Sequence, residues 1–214
     1  MGVPMDKQEP GYSRGEVEIA LWMAFTHGDR GALIDRTFKG RIQKLLDLDR
    51  ASARSVPPLP FAFHSGPPGG RGQEARFTLL DALSLAVGLD LLDLGFKQSE
   101  VVFLLCHLRA DLEDQLETIR SNPPVLRAPL KQTDNRLFMA LRKVEMTEIL
   151  GTRHSGSNPM ILRPQFVPGA HSQDLLAVLG YNDRARIVLE IAEITVLLEQ
   201  ELAKAPSVKR GRRS

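Results

Sequence analysis

The sequence predicts a mainly α protein with small β elements, its C-terminal region α+β and ending in a long helix. Three observations carry this. Apolar residues recur at three- and four-residue spacing through most of the longer segments. Two stretches, Ser13–Glu16 and Thr78–Asp81, place a hydroxyl three residues before an acid at the head of apolar runs, the pattern of a helix capping box. Breakers cluster in "SGPPGGRG" and "SNPP", where neither helix nor sheet interior is possible.

A chain of 214 residues, 43% hydrophobic and 25% charged, can bury a sizeable core as one large domain or two small ones. Its net charge of +2 announces no partner, but the distribution is uneven. From Arg30 to Arg76 nine basic residues face four acidic ones; from Phe77 to Ile119 two basic face eight acidic. A surface turned toward phosphate has this asymmetry, and so do ordinary solvated helix faces. The single Cys106 excludes an internal disulfide and a Cys-rich zinc site. Asp90, Asp93 and Glu100 interrupt the longest apolar runs, so no membrane span is expected and the reading is cytoplasmic.

Residues 1–11 read as a polar leader. After the Ser13 cap, Val17, Ile19, Ala20, Leu21, Met23, Ala24 and Phe25 support a first helix that ends near "THGDRG". A second helix, Ile34 to Asp49, puts Phe38, Ile42, Leu45 and Leu46 on one face and mostly turns Lys39, Arg41 and Lys44 away. "PFAF" and "ARFT" alternate like short strands around the Gly-rich centre, which predicts a small hairpin. The next helix runs from Thr78 to about Leu94 with Gly95 at its C-cap, and another from Gln98 to Ile119. "SNPP" divides the chain into a first domain over 12–120 and a second region over 125–204, followed by a basic tail over 205–214. In that second region "RLFMALRKVEMTEIL" reads as a strand at its front or as a helix. "ILRPQFVPG" reads as extended, Ser172 to Leu179 as a short helix, and Asp183 to Lys204 as the last helix.

The order helix, turn, helix, Gly-rich hairpin, helix, "LGF", helix is that of a winged helix-turn-helix. "LLDLGFKQSEVVFLL", through Leu91, Leu94, Gly95, Phe96, Glu100, Val101, Leu104 and Leu105, resembles the third and fourth helices of MerR-type transcription regulators. Tyr12, Ser13, Gly15, Glu16 and Val17 are similar to the start of the same family. The connection between the first two helices is longer here, and Lys97 stands where a Ser cap is usual. The resemblance covers about residues 11–119 and implies a DNA-binding regulator that acts by binding alone, with no cofactor and no enzyme chemistry.

On that reading Arg36, Lys39, Arg41 and Lys44 contact double-stranded DNA from the second helix, and Arg71 and Arg76 from the wing. The plainer alternative is that all six are solvated surface charges. Lys209, Arg210, Arg212 and Arg213 either add phosphate affinity or only solubilise the terminus. Val188, Ile191, Thr195, Leu198 and Leu202 form a coiled-coil-like seam, and Val188, Ile191, Leu198 and Leu202 are the expected homodimer contacts; burial against the same chain is equally compatible. A rival reading is a protein–protein adaptor on a winged-helix scaffold, engaging its partner through the C-terminal region. His154 and His171 lack metal-ligand spacing, Cys106 lies in a core-like helix, and "GPPGGRG" lacks the elements of a phosphate cradle.

Overall fold

The computed structural model of the chain describes residues 11–26, 33–66, 74–126, 135–142, 164–169 and 186–206. The Gly-rich centre with Arg71, the helix expected at Ser172, His154, His171 and the tail cations lie outside them. The described residues are mainly helical, with two small antiparallel sheets.

Strand β1 (Tyr12–Ser13) runs directly into helix α1 (Arg14–Phe25). The expected capping box closes it: Ser13 Oγ accepts from the Glu16 N–H at 3.3 Å, and Glu16 Oε2 accepts from the Ser13 N–H at 2.6 Å. Helix α2 (Arg36–Ser52) is capped by Asp35, begins two residues later than its apolar spacing indicates, and buries the expected Phe38, Ile42, Leu45 and Leu46. Trp22 and Phe25 of α1 meet Phe38 edge-on, with ring centroids 5.2 and 6.2 Å apart.

Helix α3 (Leu79–Asp93) is the centre of the molecule. Every residue from Leu79 to Leu89 is buried, so this helix is apolar on all sides because it is packed on all sides. Its N-terminus carries the second capping box, between Thr78 and Asp81. It ends in a corner where Gly95 adopts φ +87°, a left-handed conformation open to glycine and strained for other residues. Phe96 then folds into the core, and α4 (Gln98–Ser121) begins. Glu100 accepts from the Lys97 N–H at 2.9 Å, which is half of a capping box, since an ammonium cannot accept the return bond.

The expected hairpin is corrected. Strand β2 (Arg76–Phe77) pairs with β1, in the register Tyr12↔Phe77 and Ser13↔Arg76, while Phe61–Phe63 forms no strand. The cause is competition for backbone groups. The N–H groups of Ala62 and Phe63 donate to the Asp49 carboxylate at 2.7 and 3.1 Å, and the Ala62 carbonyl accepts from Arg109 at 3.0 Å. Side chains therefore occupy groups that a ladder would need.

Beyond Ser121, where α4 ends as "SNPP" predicts, β3 (Leu137–Arg142) resolves the helix-or-strand ambiguity in favour of a strand. It is the centre of a three-stranded sheet between β4 (Gln165–Pro168) and β5 (Arg186–Glu190), with Met139 opposite both Phe166 and Leu189. Leu137, Met139 and Leu141 join the helical core from one face, yet Phe138 and Ala140 are buried too, so β3 shows no alternation in sequence. The last helix is also corrected: α5 is Ile191–Lys204, because residues 186–190 are claimed by β3 as a strand. It packs on α1 and α3, and one continuous apolar core runs through both sides of the "SNPP" break.

Candidate nucleic-acid interface

Helix α2 is buried along one stripe only. At about 100° per residue, Arg36, Gly40 and Lys44 fall opposite that stripe, and Lys39 lies on its shoulder. Arg36, Lys39 and Lys44 are exposed and enter no ion pair among the described residues. The cationic stretch is confined to the first half of the helix. Asp47 continues the same face one turn on and meets Arg50 at 3.5 Å.

The other expected contacts are placed differently. Arg41 turns toward α3: it donates to the Leu89 carbonyl at 3.1 Å and to Asp93 at 2.7 Å, tying α2 to the C-terminal end of α3. There it adds a second bond to a carbonyl near the helix end and opposes the negative end of the helix dipole. Arg76 is exposed on β2 and donates to the Gly11 carbonyl at 3.3 Å. Three residues along from Gly11, Arg14 bonds both Glu18 and Gln43, linking the head of α1 to the middle of α2. Arg71 lies outside the described residues. The structure thus brings Arg36, Lys39 and Lys44 together and commits Arg41 to the fold.

The expected dimer seam is filled from within the chain. Ile191, Leu198 and Leu202 are buried in the core that α5 shares with α1 and α3, whereas Val188 lies on β5 and is 37% exposed.

Cys106 is buried, as its apolar neighbours imply. His107 is closer than helical geometry indicates, with Nδ1 3.1 Å from the thiol. That nitrogen also lies 2.7 Å from the Phe103 carbonyl, which can only accept, so it carries the ring hydrogen and cannot take the thiol's proton.

Sequence reasoning missed a buried polar clasp. Asp81 is fully buried and accepts from Arg109 at 2.5 Å, from the Thr78 N–H at 2.8 Å and from Ser65 Oγ at 3.1 Å. Arg109 also reaches Ser65 Oγ at 2.9 Å and the Ala62 carbonyl. With Asp49, these side chains from three helices pin residues 62–65 to the core. Burial pushes the Asp49 carboxyl up, opposed by the Ala62 and Phe63 N–H groups and by the Arg109 charge. Burial likewise pushes His64 down to about 4; its ring lies between Phe61 and Phe77, and Nε2 has no partner among the described residues. A signal existed in the sequence. Asp49 falls on the same helical stripe as Phe38, Ile42 and Leu45, and a charge inside an apolar stripe requires a partner.

Asp90, beside the Arg41 tie, is pushed up to about 6 by burial and by the neighbouring Asp93, with Arg41 opposing. A cavity of about 270 Å³ lies between α1 and the end of α5, lined by Trp22, Met23, Ile34 and Lys204 among others. Among the described residues no group of His, Cys, Asp and Glu side chains is arranged to hold a metal, and no helix is long and apolar enough to cross a membrane. No protein-family model, curated protein or solved structure matches the chain.

Proposed function

We propose that the chain is a DNA-binding regulator that acts by binding alone, presenting α2 to a duplex from a helix-turn-helix frame of the MerR-like kind. The observation that carries the reading is the exposed trio Arg36, Lys39 and Lys44, on the outer side of a helix whose inner side is locked into the core. Long cationic side chains on a rigid helix suit phosphates and base edges together. Rigidity has visible sources: Asp49 anchors the helix from below, Arg41 holds it to α3, and Gln43 receives Arg14 from α1. Exposed Arg76 adds a cation on β2, next to the start of α1.

The experiment is fluorescence anisotropy of labelled duplexes, including duplexes selected from a random pool, across a salt series. Lys39→Ala and Lys44→Ala should each weaken binding and lower the slope of log affinity against log salt by about 0.9, the value of one phosphate contact. Absent or salt-insensitive binding, selected duplexes included, would overturn the reading.

A further inference from the structure

Gly40 sits inside α2, five residues past the capping Asp35, where glycine weakens a helix relative to alanine. Among the described residues nothing requires it. Its backbone is helical rather than left-handed, and apart from its own stretch of helix a Cβ at this position would meet no described atom within 4 Å. Conformation and internal packing therefore leave the missing side chain unexplained. Its position on the helix supplies a reason. Arg36 lies four residues before and Lys44 four residues after, so the three stack in one row about 12 Å long, with both cations exposed and Gly40 half-buried between them. Lys39 flanks the row, and Arg41 is drawn away toward Asp93, leaving bare helix between two cations.

We infer that Gly40 is where a DNA strand lies directly against α2, its sugar-phosphate backbone seated on bare helix between Arg36 and Lys44. This rests on the DNA-binding reading above and adds the point of closest approach. Charge decides the occupant. A second copy of the same face would set three cations against three, whereas a strand with one phosphate per roughly 3.4 Å of helix axis meets both flanking cations at once. In the α-helical pattern the Gly40 N–H is already spent on the Arg36 carbonyl, so the glycine supplies clearance and no hydrogen bond. A side chain here would hold the strand off and lengthen the contacts of Arg36 and Lys44, with the protein's charge unchanged.

The test compares Gly40→Ala, Gly40→Leu and the control Ala51→Leu, an exposed position on the same helix beyond the cations. Both Gly40 variants should melt above the wild type, because each adds a better helix former into open space. Duplex affinity at fixed salt should fall about two- to threefold in Gly40→Ala and at least about tenfold in Gly40→Leu, with Ala51→Leu unchanged. Wild-type affinity in Gly40→Leu, alongside weakened Lys39→Ala and Lys44→Ala, would overturn this inference and leave the DNA reading standing. A wild-type protein that binds no duplex overturns both. A lowered melting temperature in Gly40→Ala would show that the glycine serves the fold, and would likewise overturn the inference.

Discussion

Removing the Asp81 carboxylate is the sharpest perturbation of this fold that leaves the α2 surface untouched. In Asp81→Ala the Arg109 guanidinium loses its only carboxylate partner seen among the described residues while remaining just 16% exposed. Breaking a buried ion pair from one side costs about 3–5 kcal/mol. Arg109 keeps its bonds to Ser65 and Ala62 and some access to water, which places the pair loss near about 3 kcal/mol. The return bond of the α3 capping box, from the Thr78 N–H at 2.8 Å, adds about 0.5–1 kcal/mol. The expected loss is therefore about 3–4 kcal/mol, a large part of the roughly 5–15 kcal/mol that holds a domain together. Arg109→Met leaves the fully buried Asp81 charge unpaired and should cost about as much. The double variant removes both members of the Asp81–Arg109 pair, so it should lose about 2–3 kcal/mol less than the sum of the two. Urea unfolding of the four proteins gives these quantities directly. A loss below about 1 kcal/mol in Asp81→Ala, or additivity within about 0.5 kcal/mol, would refute the clasp as the anchor of residues 62–65.

The remaining predictions concern the same interior. His64 has a folded pKa of about 4, below the 6.5 of the unfolded chain, so the unfolded state binds more protons between those values. Stability from this residue is present above pH 6.5 and is lost as pH falls toward 4, by about 3 kcal/mol in all; His64→Phe should flatten that acid limb in urea melts taken at several pH values. Asp90 has the opposite sign. Its folded pKa of about 6 exceeds the unfolded 3.8, so stability falls as pH rises through that window and stays lower above it. Asp90→Asn should gain about 1–2 kcal/mol at pH 7.5, the group being half-buried, and the gain should vanish near pH 4; a gain independent of pH would refute the assignment. Leu198→Ala should cost about 2–5 kcal/mol as a core truncation. That loss should not vary with protein concentration, as it would if Leu198 lay between subunits.

Elements whose sequence signal is local were legible, and elements defined by a distant partner were not. Both capping boxes, the Gly95 corner and the apolar stripe of α2 rest on residues within a few positions of one another, and each stands in the structure as its spacing indicates. By contrast, β2 pairs with a strand more than sixty residues earlier, and β5 looks like the first turn of α5 until β3 is placed beside it. "RIVLE" fits a strand as well as a helix when read alone. The failure at Phe61–Phe63 is of a third kind. Its alternation suits a strand, but a carboxylate from α2 and a guanidinium from α4 take its backbone groups, and the pattern of residues 61–63 itself shows neither. The candidate interface shows the same division. The exposure of Lys39 and Lys44 follows from the helical wheel of α2, whereas the capture of Arg41 depends on Asp93, fifty-two residues on.

That capture changes how the positive charge of this region is to be counted. The stretch from Arg36 to Arg54 carries Arg36, Lys39, Arg41, Lys44, Arg50 and Arg54, yet Arg41 is paired with Asp93 and Arg50 with Asp47. Arginine suits such internal ties because its planar fork reaches a carbonyl and a carboxylate together, as Arg41 does. What remains for a ligand on the outer face of the first half of α2 is the trio Arg36, Lys39 and Lys44. If each neutralises one phosphate, the log–log salt slope contributed by one copy of this face is about −2.7. Exposed Arg76 would take it to about −3.6. A measured slope in this range fits the trio, with or without Arg76, and a slope near −1 would mean that α2 does not lie along the strand. The Arg41→Ala variant separates the two uses of charge. It should lower stability by about 0.5–1 kcal/mol, because its carboxylate partner is exposed, while leaving the salt slope where the wild type has it.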